Sequence, residues 1–302
     1  MDVTSHSIEE LWSPGGPLPV SLVVAVEEGA ERSPAFGDAA PEPFAEGYSP
    51  EGAWRNWFTE SMWEYGARRG IWRVLDTVEA AGVPTSFAWC GQAAAANPAP
   101  LHAAVRGGHE VLCRGFRAVP GPQLGEDAER WNILQGRRVL TELTGQPVEG
   151  WFGRWPSRHT RRLVVDAGFH HESDSHAADH PFTSHIDARS IITVPWTPEL
   201  DDDRFWTDGR MAGYQLADDL LDAATLASEQ LVRERATGPR LMTLVLRPRI
   251  SGRPERIGWL TDFLERYAQD DRFRFLTRGN IATSWAATHD AGPRDEEATY
   301  AT

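Results

Sequence analysis

VSLVVAVEEGAE, residues 20–31, is the stretch from which the fold is read. Its first seven residues are uncharged and rich in β-branched side chains, with no alternation of apolar and polar positions. Such a run reads as a β-strand. Glu27, Glu28 and Gly29 end it abruptly. A strand therefore delivers two adjacent carboxyls to one end of a sheet.

The same unit recurs along the chain. Strand-like runs are expected at 20–26, 84–89, 110–113, 149–152, 169–173, 191–196, 242–246 and 273–276. Helical stretches lie between them, at 61–81, 126–143, 158–167, 213–235 and 254–268. In the last of these Pro254 sits at the first helical position, and Ile257, Leu260, Leu264 and Tyr267 share one face. Alternating strands and helices imply parallel pairing, because a parallel crossover needs a helix. Seven or eight such units in about 270 residues predict an α/β protein built as a closed or deformed (β/α) barrel. Residues 1–17 and 287–302 are polar and aperiodic and read as loosely held tails flanking a barrel domain at 18–286.

Barrel sites gather where strands end and βα loops begin. Here those ends carry Glu27-Glu28-Gly29, Trp89-Cys90-Gly91, Arg114-Gly115, Gly153-Arg154, Ser173-Asp174, Trp196-Thr197 and Arg247-Pro248. Acids, arginines and tryptophans converge on one rim.

Composition narrows the function classes. The net charge of −14 argues against nucleic-acid binding. No apolar run approaches the roughly 20 residues of a membrane span, and the N-terminus lacks the pattern of a secretory signal. Two cysteines, Cys90 and Cys113, give no disulfide framework and fit a reducing cytoplasm. All 30 Lys+Arg residues are arginine. Schiff-base chemistry through lysine and a phosphate loop ending in GK[ST] are thereby excluded.

Seven segments, in order, resemble the PuuE-type allantoinases within the NodB-homology polysaccharide deacetylases. They are VSLVVAVEEGAE, ESMWEYGARRGIWR (60–73), GGHEV (107–111), TGQPVEGWFGRWPSRHTRRL (144–163), GFHHESDSHAADHPF (168–182), VPWTPELDDDRF (194–205) and RPRISGRPER (247–256). The resemblance implies a deformed (β/α) barrel of the NodB type that cleaves a C–N bond. Deacetylases of that superfamily hold a metal with an aspartate and an HxxxH pair; the allantoinase-like branch opens a cyclic ureide without one.

The departures from that pattern carry information. Where the branch has Asn-Tyr-Glu-Glu-Gly, this chain has Ala25-Val26-Glu27-Glu28-Gly29. His-Gly-Trp is replaced by Arg114-Gly115-Phe116, and Leu-His-Cys-Arg by Leu246-Arg247-Pro248-Arg249. The HxxxH positions correspond to Arg114 and Ala118, neither of which ligates zinc. No metal and no cofactor is expected.

By the resemblance Glu27 stands at the general-base position and Glu28 where deacetylases hold the metal; a solvated acidic turn is the alternative. Amide hydrolysis needs a base for water and an acid for the leaving nitrogen, and neighbouring carboxyls can be driven to different pKa values. Arg114, Arg247 and Arg154 can clamp a carboxylate or an oxyanion, or can pair internally with the glutamates and silence them. Trp89, Trp155 and Trp196 are candidate pocket walls, and Asp174 a candidate substrate contact. His109 and Asp179 are candidate supports of the site. The histidines 170, 171, 176, 180 and 185 fit no compact metal motif and read as a hydrogen-bonded loop.

The expectation is a cytoplasmic, metal-independent enzyme acting on an amide, lactam or ureide of a small anionic substrate, by hydrolysis or by cyclisation in a specialised pathway. The alternative is an inactive homologue serving as a binding or scaffold protein. By analogy with related proteins an oligomer is expected, with WEYGARRGIW (63–72) a candidate for its interface.

Overall fold

A computed structural model describes residues 8–42, 54–153, 155–207 and 213–289. Strand β1, Leu18–Val26, is buried along its whole length and sits at the centre of a parallel sheet. One edge carries β7, Met242–Leu246. The other is shared: β2, Ser86–Trp89, pairs with Val23–Val26, and β8, Phe273–Phe275, with Leu18–Val20. Strand β3, Glu110–Cys113, continues the sheet beyond β2.

A second sheet holds β4 (His171–Glu172), β6 (Arg189–Thr193) and β5 (Phe182–Ile186). Single parallel bridges at Cys113–Trp151 and Gly150–His171 join it to β3, so the expected strand at 149–152 exists only as a bridging strip. The hairpin β5–β6 was not expected. Its two-residue turn places Asp187 at φ 53, a left-handed position that a short polar side chain tolerates. Between β6 and β7 the strands diverge, with one bridge at Asp201–Val245. The barrel is deformed at that seam.

Strand parity decides what faces inward. On β1 the residues Val23 and Ala25 meet Ala88, Leu112, Phe152 and Val245 inside the barrel, while Leu22, Val24 and Val26 join the outer core with the helices. Continuing the inner parity one step past each strand brings Glu27, Arg114 and Arg247 to the same mouth. One step the other way come Ser86, Glu110 and Thr243, a polar layer at the opposite end.

That lower layer is closed by Arg278, which is fully buried. Its guanidinium donates to Ser173 Oγ (2.8 Å), Thr243 Oγ1 (3.2 Å), Pro195 O (3.1 Å) and Val194 O. It thus spans the β6–β7 seam, where backbone ladder bonds are missing. Burial pulls its pKa down to about 9, with Glu110 and Glu172 opposing. It stays charged at neutral pH.

The helical stretch expected at 61–81 is Trp57–Tyr65 and Ile71–Ala81, joined by a π-helical turn at Gly66–Gly70. Gly70 packs against the carbonyl of Pro248, and a Cβ on it would collide with that oxygen. The wider turn and its glycines let the loop after β7 lie directly on this helix. The expectation of a loose tail over 1–17 fails for residues 8–17. The helix Ile8–Trp12 docks through Trp12, whose indole meets Trp285 at 5.0 Å and donates to Ser284 Oγ; burying Leu11 and Trp12 offsets the cost of ordering them. The last helix, Arg278–His289, runs into the expected C-terminal tail, of which residues 290–302 lie outside the described residues.

Candidate active site

Glu27 is completely buried and Glu28 nearly so. Arg114 donates to Oε1 of Glu27 through both Nε (2.8 Å) and Nη2 (2.6 Å), and its Nη1 is spent on the carbonyls of Phe152 and Gly153. Oε2 of Glu27 accepts from Nη1 of Arg249 at 3.0 Å and has Nε of Arg247 at 3.7 Å. Three guanidiniums surround one carboxylate.

Arg247 is held mainly from its far side. It donates to Asp201 and, at 3.1 Å, to Asp202, and its backbone N–H donates to Asp202 Oδ2 at 2.7 Å. Ser251 Oγ also donates to Asp202, and Trp259 to Ser251. Burial alone would lower the pKa of Arg247; Asp201, Asp203, Glu27 and Asp202 outweigh it and hold it well above the ordinary value. Arg249 lies 3.9 Å over the ring of Trp63 and reaches Asp203 at 3.4 Å.

Five carboxyls therefore face three guanidiniums. Burial pushes both Glu28 and Asp202 up to about 7, against the pull of Arg249 and Arg247 respectively, so each is partly protonated at neutral pH. Among the described residues Glu28 receives backbone donors within hydrogen-bond reach, Glu27 N at 3.1 Å and Arg249 N at 2.9 Å. Gly66 leaves the room for this, since a Cβ there would lie 2.7 Å from Glu28 Oε1.

Beside this cluster two spaces open. A cavity of about 20 Å³, enough for one water, is lined by Arg114, Trp155 and Asp174 among others. Asp174 accepts from Trp151 Nε1 (2.7 Å) and Gly153 N (3.1 Å), and burial together with Glu172 pushes its pKa up to about 7. The second space is an open groove of about 740 Å³ lined by Glu28, Glu31, Ser33, Phe36, Arg55, Glu60, Arg68, Arg69, Trp72 and Asn97 among others.

Several expected site residues lie elsewhere. Trp89 has the outward parity of β2 and packs in the outer core beneath the helices, so it walls no pocket. His109 precedes β3 at the opposite end of the barrel, with its ring 5.3 Å from Phe87; burial lowers its pKa. The side chain of Asp179 is exposed, and only its carbonyl is engaged, by Leu241 N. These two support the barrel and its loops, not the acids. Trp196 does reach the mouth, its ring tilted 5.6 Å from that of Phe152, which also lies 5.5 Å from the Arg114 guanidinium. Trp155 is half exposed, with φ 52. Arg154 lies outside the described residues.

Sequence reasoning passed over Arg249, Asp201, Asp202 and Asp203. The signal was present as three consecutive acids in VPWTPELDDDRF and a second arginine two places after Arg247. Of the histidine-rich segment, His171 lies in β4 and His185 in β5, and the stretch between them is a loop in which His176 meets Trp196 O at 2.9 Å and His180 meets Pro181 O at 2.9 Å. Among the described residues no three histidine, cysteine or acidic side chains are arranged to hold a metal ion. Guanidiniums stand between the carboxylates of the mouth, so the donor set present does not fit the deacetylase metal. Cys90 and Cys113 are buried free thiols, and burial pushes Cys113 up to about 12. No helix among the described residues is long and apolar enough to cross a membrane.

The geometry agrees with comparisons to known proteins. A solved structure from Pseudomonas aeruginosa PAO1, titled "probable Polysaccharide deacetylase", is 32% identical over 90% of this chain and 92% of its own, with a TM-score of 0.84. The chain is a divergent member of the NodB-homology polysaccharide deacetylase superfamily, on its allantoinase-like branch. The crystal structure of PuuE allantoinase matches with a TM-score of 0.88 at 30% identity, over 97% of this chain and all of that one. A Schizosaccharomyces pombe protein named "Putative polysaccharide deacetylase" is 28% identical over 92% of this chain and 93% of its own. No family model matches. The deacetylases and allantoinase of this superfamily are hydrolases of C–N bonds, and the barrel described here is theirs.

Proposed function

We propose that the protein is a metal-independent hydrolase of an amide, lactam or ureide C–N bond in which Glu28, rather than Glu27, carries the proton. The observation that supports this is the placement of Glu28: it ends a strand at the barrel mouth, lines the groove, and titrates near 7 because it is buried. A carboxyl of that pKa works in both directions at neutral pH. As a carboxylate it takes a proton from the attacking water while a C–O bond forms; as an acid it returns the proton to the nitrogen while the C–N bond breaks. Two backbone N–H groups fix its orientation.

Glu27 has a different part. Enclosed by Arg114, Arg247 and Arg249, it is an anchor that holds the cations in place. Arg249 is the least buried of the three and lies 3.9 Å from Glu28 Oε1, where it can stabilise the oxyanion that develops on the substrate. Turnover of a panel of N-acyl amines, lactams and cyclic ureides tests this. Glu28→Gln should abolish activity at neutral pH; unchanged turnover in that variant overturns the assignment.

A second reading is favoured by the Arg114–Glu27 pair. A glutamate at the inherited general-base position that is tied up by a guanidinium suits a barrel that binds but does not turn over. Absence of turnover by the wild-type protein across the panel, with ligand binding retained, selects it.

A further inference from the structure

We propose that the groove beside Glu28 takes a small molecule whose inner end is a positively charged nitrogen, an ammonium or a guanidinium group. This rests on the groove being the way to Glu28, as in the function proposed above. It reverses the charge that the arginine-rich rim suggests.

The argument begins with where the arginines are spent. Arg114 and Arg247 face carboxylates and carbonyls inside the barrel and do not line the groove. Of the three arginines that do, Arg55 donates three times to Glu60, at 2.5–3.1 Å, and Arg68 pairs with Glu64 at 2.8 Å. Arg69 remains, exposed on the π-helical turn at the rim.

The inner wall is different. Glu28 and Glu31 are each more than nine-tenths buried and both line the groove. Among the described residues their hydrogen-bond donors are backbone N–H groups: Glu27 N and Arg249 N for Glu28, and Gly29 N at 2.6 Å for Glu31. A carboxylate has about four acceptor positions, so each retains capacity that the protein leaves unused. Burial raises the pKa of both, which means that each gains from a cation brought against it. Phe36 and Trp72, both more than a third exposed, line the same groove; Phe36 already holds the Arg117 guanidinium 5.2 Å from its ring, and Trp72 offers a further aromatic surface of the kind that draws a desolvated cation. An anion placed there meets two buried carboxyls, and the guanidinium beside them, Arg249 at 3.9 Å from Glu28 Oε1, is already engaged by Glu27 and Asp203. Acid within, aromatic at the sides and arginine at the rim together select a cationic end first.

Benzylammonium, phenylacetate and benzyl alcohol, of similar size and different charge, are the probes. Each is titrated into the full-length protein by two-dimensional NMR, so that the shifted resonances report the location. Benzylammonium is expected to bind at residues of the groove, more tightly than benzyl alcohol, with phenylacetate weakest. Glu28→Gln/Glu31→Gln should weaken benzylammonium by at least about tenfold, and Arg69→Ala should leave it unchanged or tighter. Should the double variant not fold, Trp72→Ala, on an exposed side chain, is expected to weaken benzylammonium more than benzyl alcohol. Phenylacetate binding as tightly as benzylammonium, no binding of benzylammonium, or binding indifferent to these substitutions overturns the proposal. Because the readout is binding, its failure leaves the role of Glu28 in turnover to be judged by the substrate panel, and loss of turnover alone leaves this assignment standing.

Discussion

Arg114 and Glu27 form a buried pair in which Nε and Nη2 of the guanidinium both donate to the same carboxylate oxygen, Oε1, at 2.8 and 2.6 Å. The two side chains are 2% and 0% exposed. A pair this deep is costly to assemble and costly to break: removing one partner leaves the other charged and unsolvated.

Arg114→Met should therefore cost about 3–5 kcal/mol of stability, read from urea unfolding at constant m-value. Combining it with Glu27→Gln should cost less than the sum, with an interaction energy of about 1–3 kcal/mol. Additive effects would mean that the two residues are not coupled as the distances require.

Glu28 predicts a pH dependence. Its folded pKa, about 7, lies above the ordinary 4.5. Between these values the folded state holds a proton that the unfolded state has released, so stability falls as pH rises through that window and levels off above it. The slope from this one group approaches about 1.4 kcal/mol per pH unit. Asp202 and Asp174, also raised to about 7, add slope of the same sign. Glu28→Gln should flatten the curve between pH 5 and 7, and gain on the wild type toward pH 8. Denaturation midpoints at pH 5, 6, 7 and 8 measure this; a parallel pair of curves would contradict it.

Arg278 supplies a different test, remote from the mouth. Arg278→Met strips donors from the carbonyls of Val194 and Pro195 at the β6–β7 seam and should cost about 2–4 kcal/mol. Arg138→Met, at a surface pair with Glu142, should stay within about 0.5 kcal/mol. Chemical denaturation of the two variants side by side decides whether the seam depends on this side chain.

Gly70→Ala places a methyl group against the Pro248 carbonyl and should destabilise by about 1–3 kcal/mol. It should also displace the loop that carries Arg247 and Arg249. Gly258→Ala, at a helix start with open space around it, should be neutral or slightly stabilising. Melting temperatures distinguish the two.

Much of the barrel is legible in the chain. Seven of the expected strand runs overlap ladder strands, most plainly β1 and β7, where a fully buried parallel strand announces itself by a nearly continuous apolar run. The hairpin strand Phe182–Ile186 does not, since it is half exposed and interrupted by polar residues. Trp89 was misplaced for a simpler reason. A strand end alone does not say which way a side chain points; the register with Val26 and Cys113 does, and it turns Trp89 outward. Asp201–Asp203 and Arg278 carry no local pattern that separates a buried network from a charged surface run. Their burial comes from contacts between residues far apart in the chain, such as Arg278 with Ser173 and Thr243.

The sequence by itself determined that two carboxyls end a buried strand, that arginines replace two signature histidines, and that the chain shares the allantoinase-like barrel. The first follows from local residue types and spacing, the other two from the resemblance of seven ordered segments to the allantoinase-like branch. Tertiary structure alone decided how the charges are matched. Arg114, Arg247 and Arg249 turn inward onto Glu27 and the aspartates, leaving Glu28 and Glu31 to line the groove. Charge pairing depends on distance and burial, and both are set by strand register and by how closely the loop after β7 packs on Gly66 and Gly70.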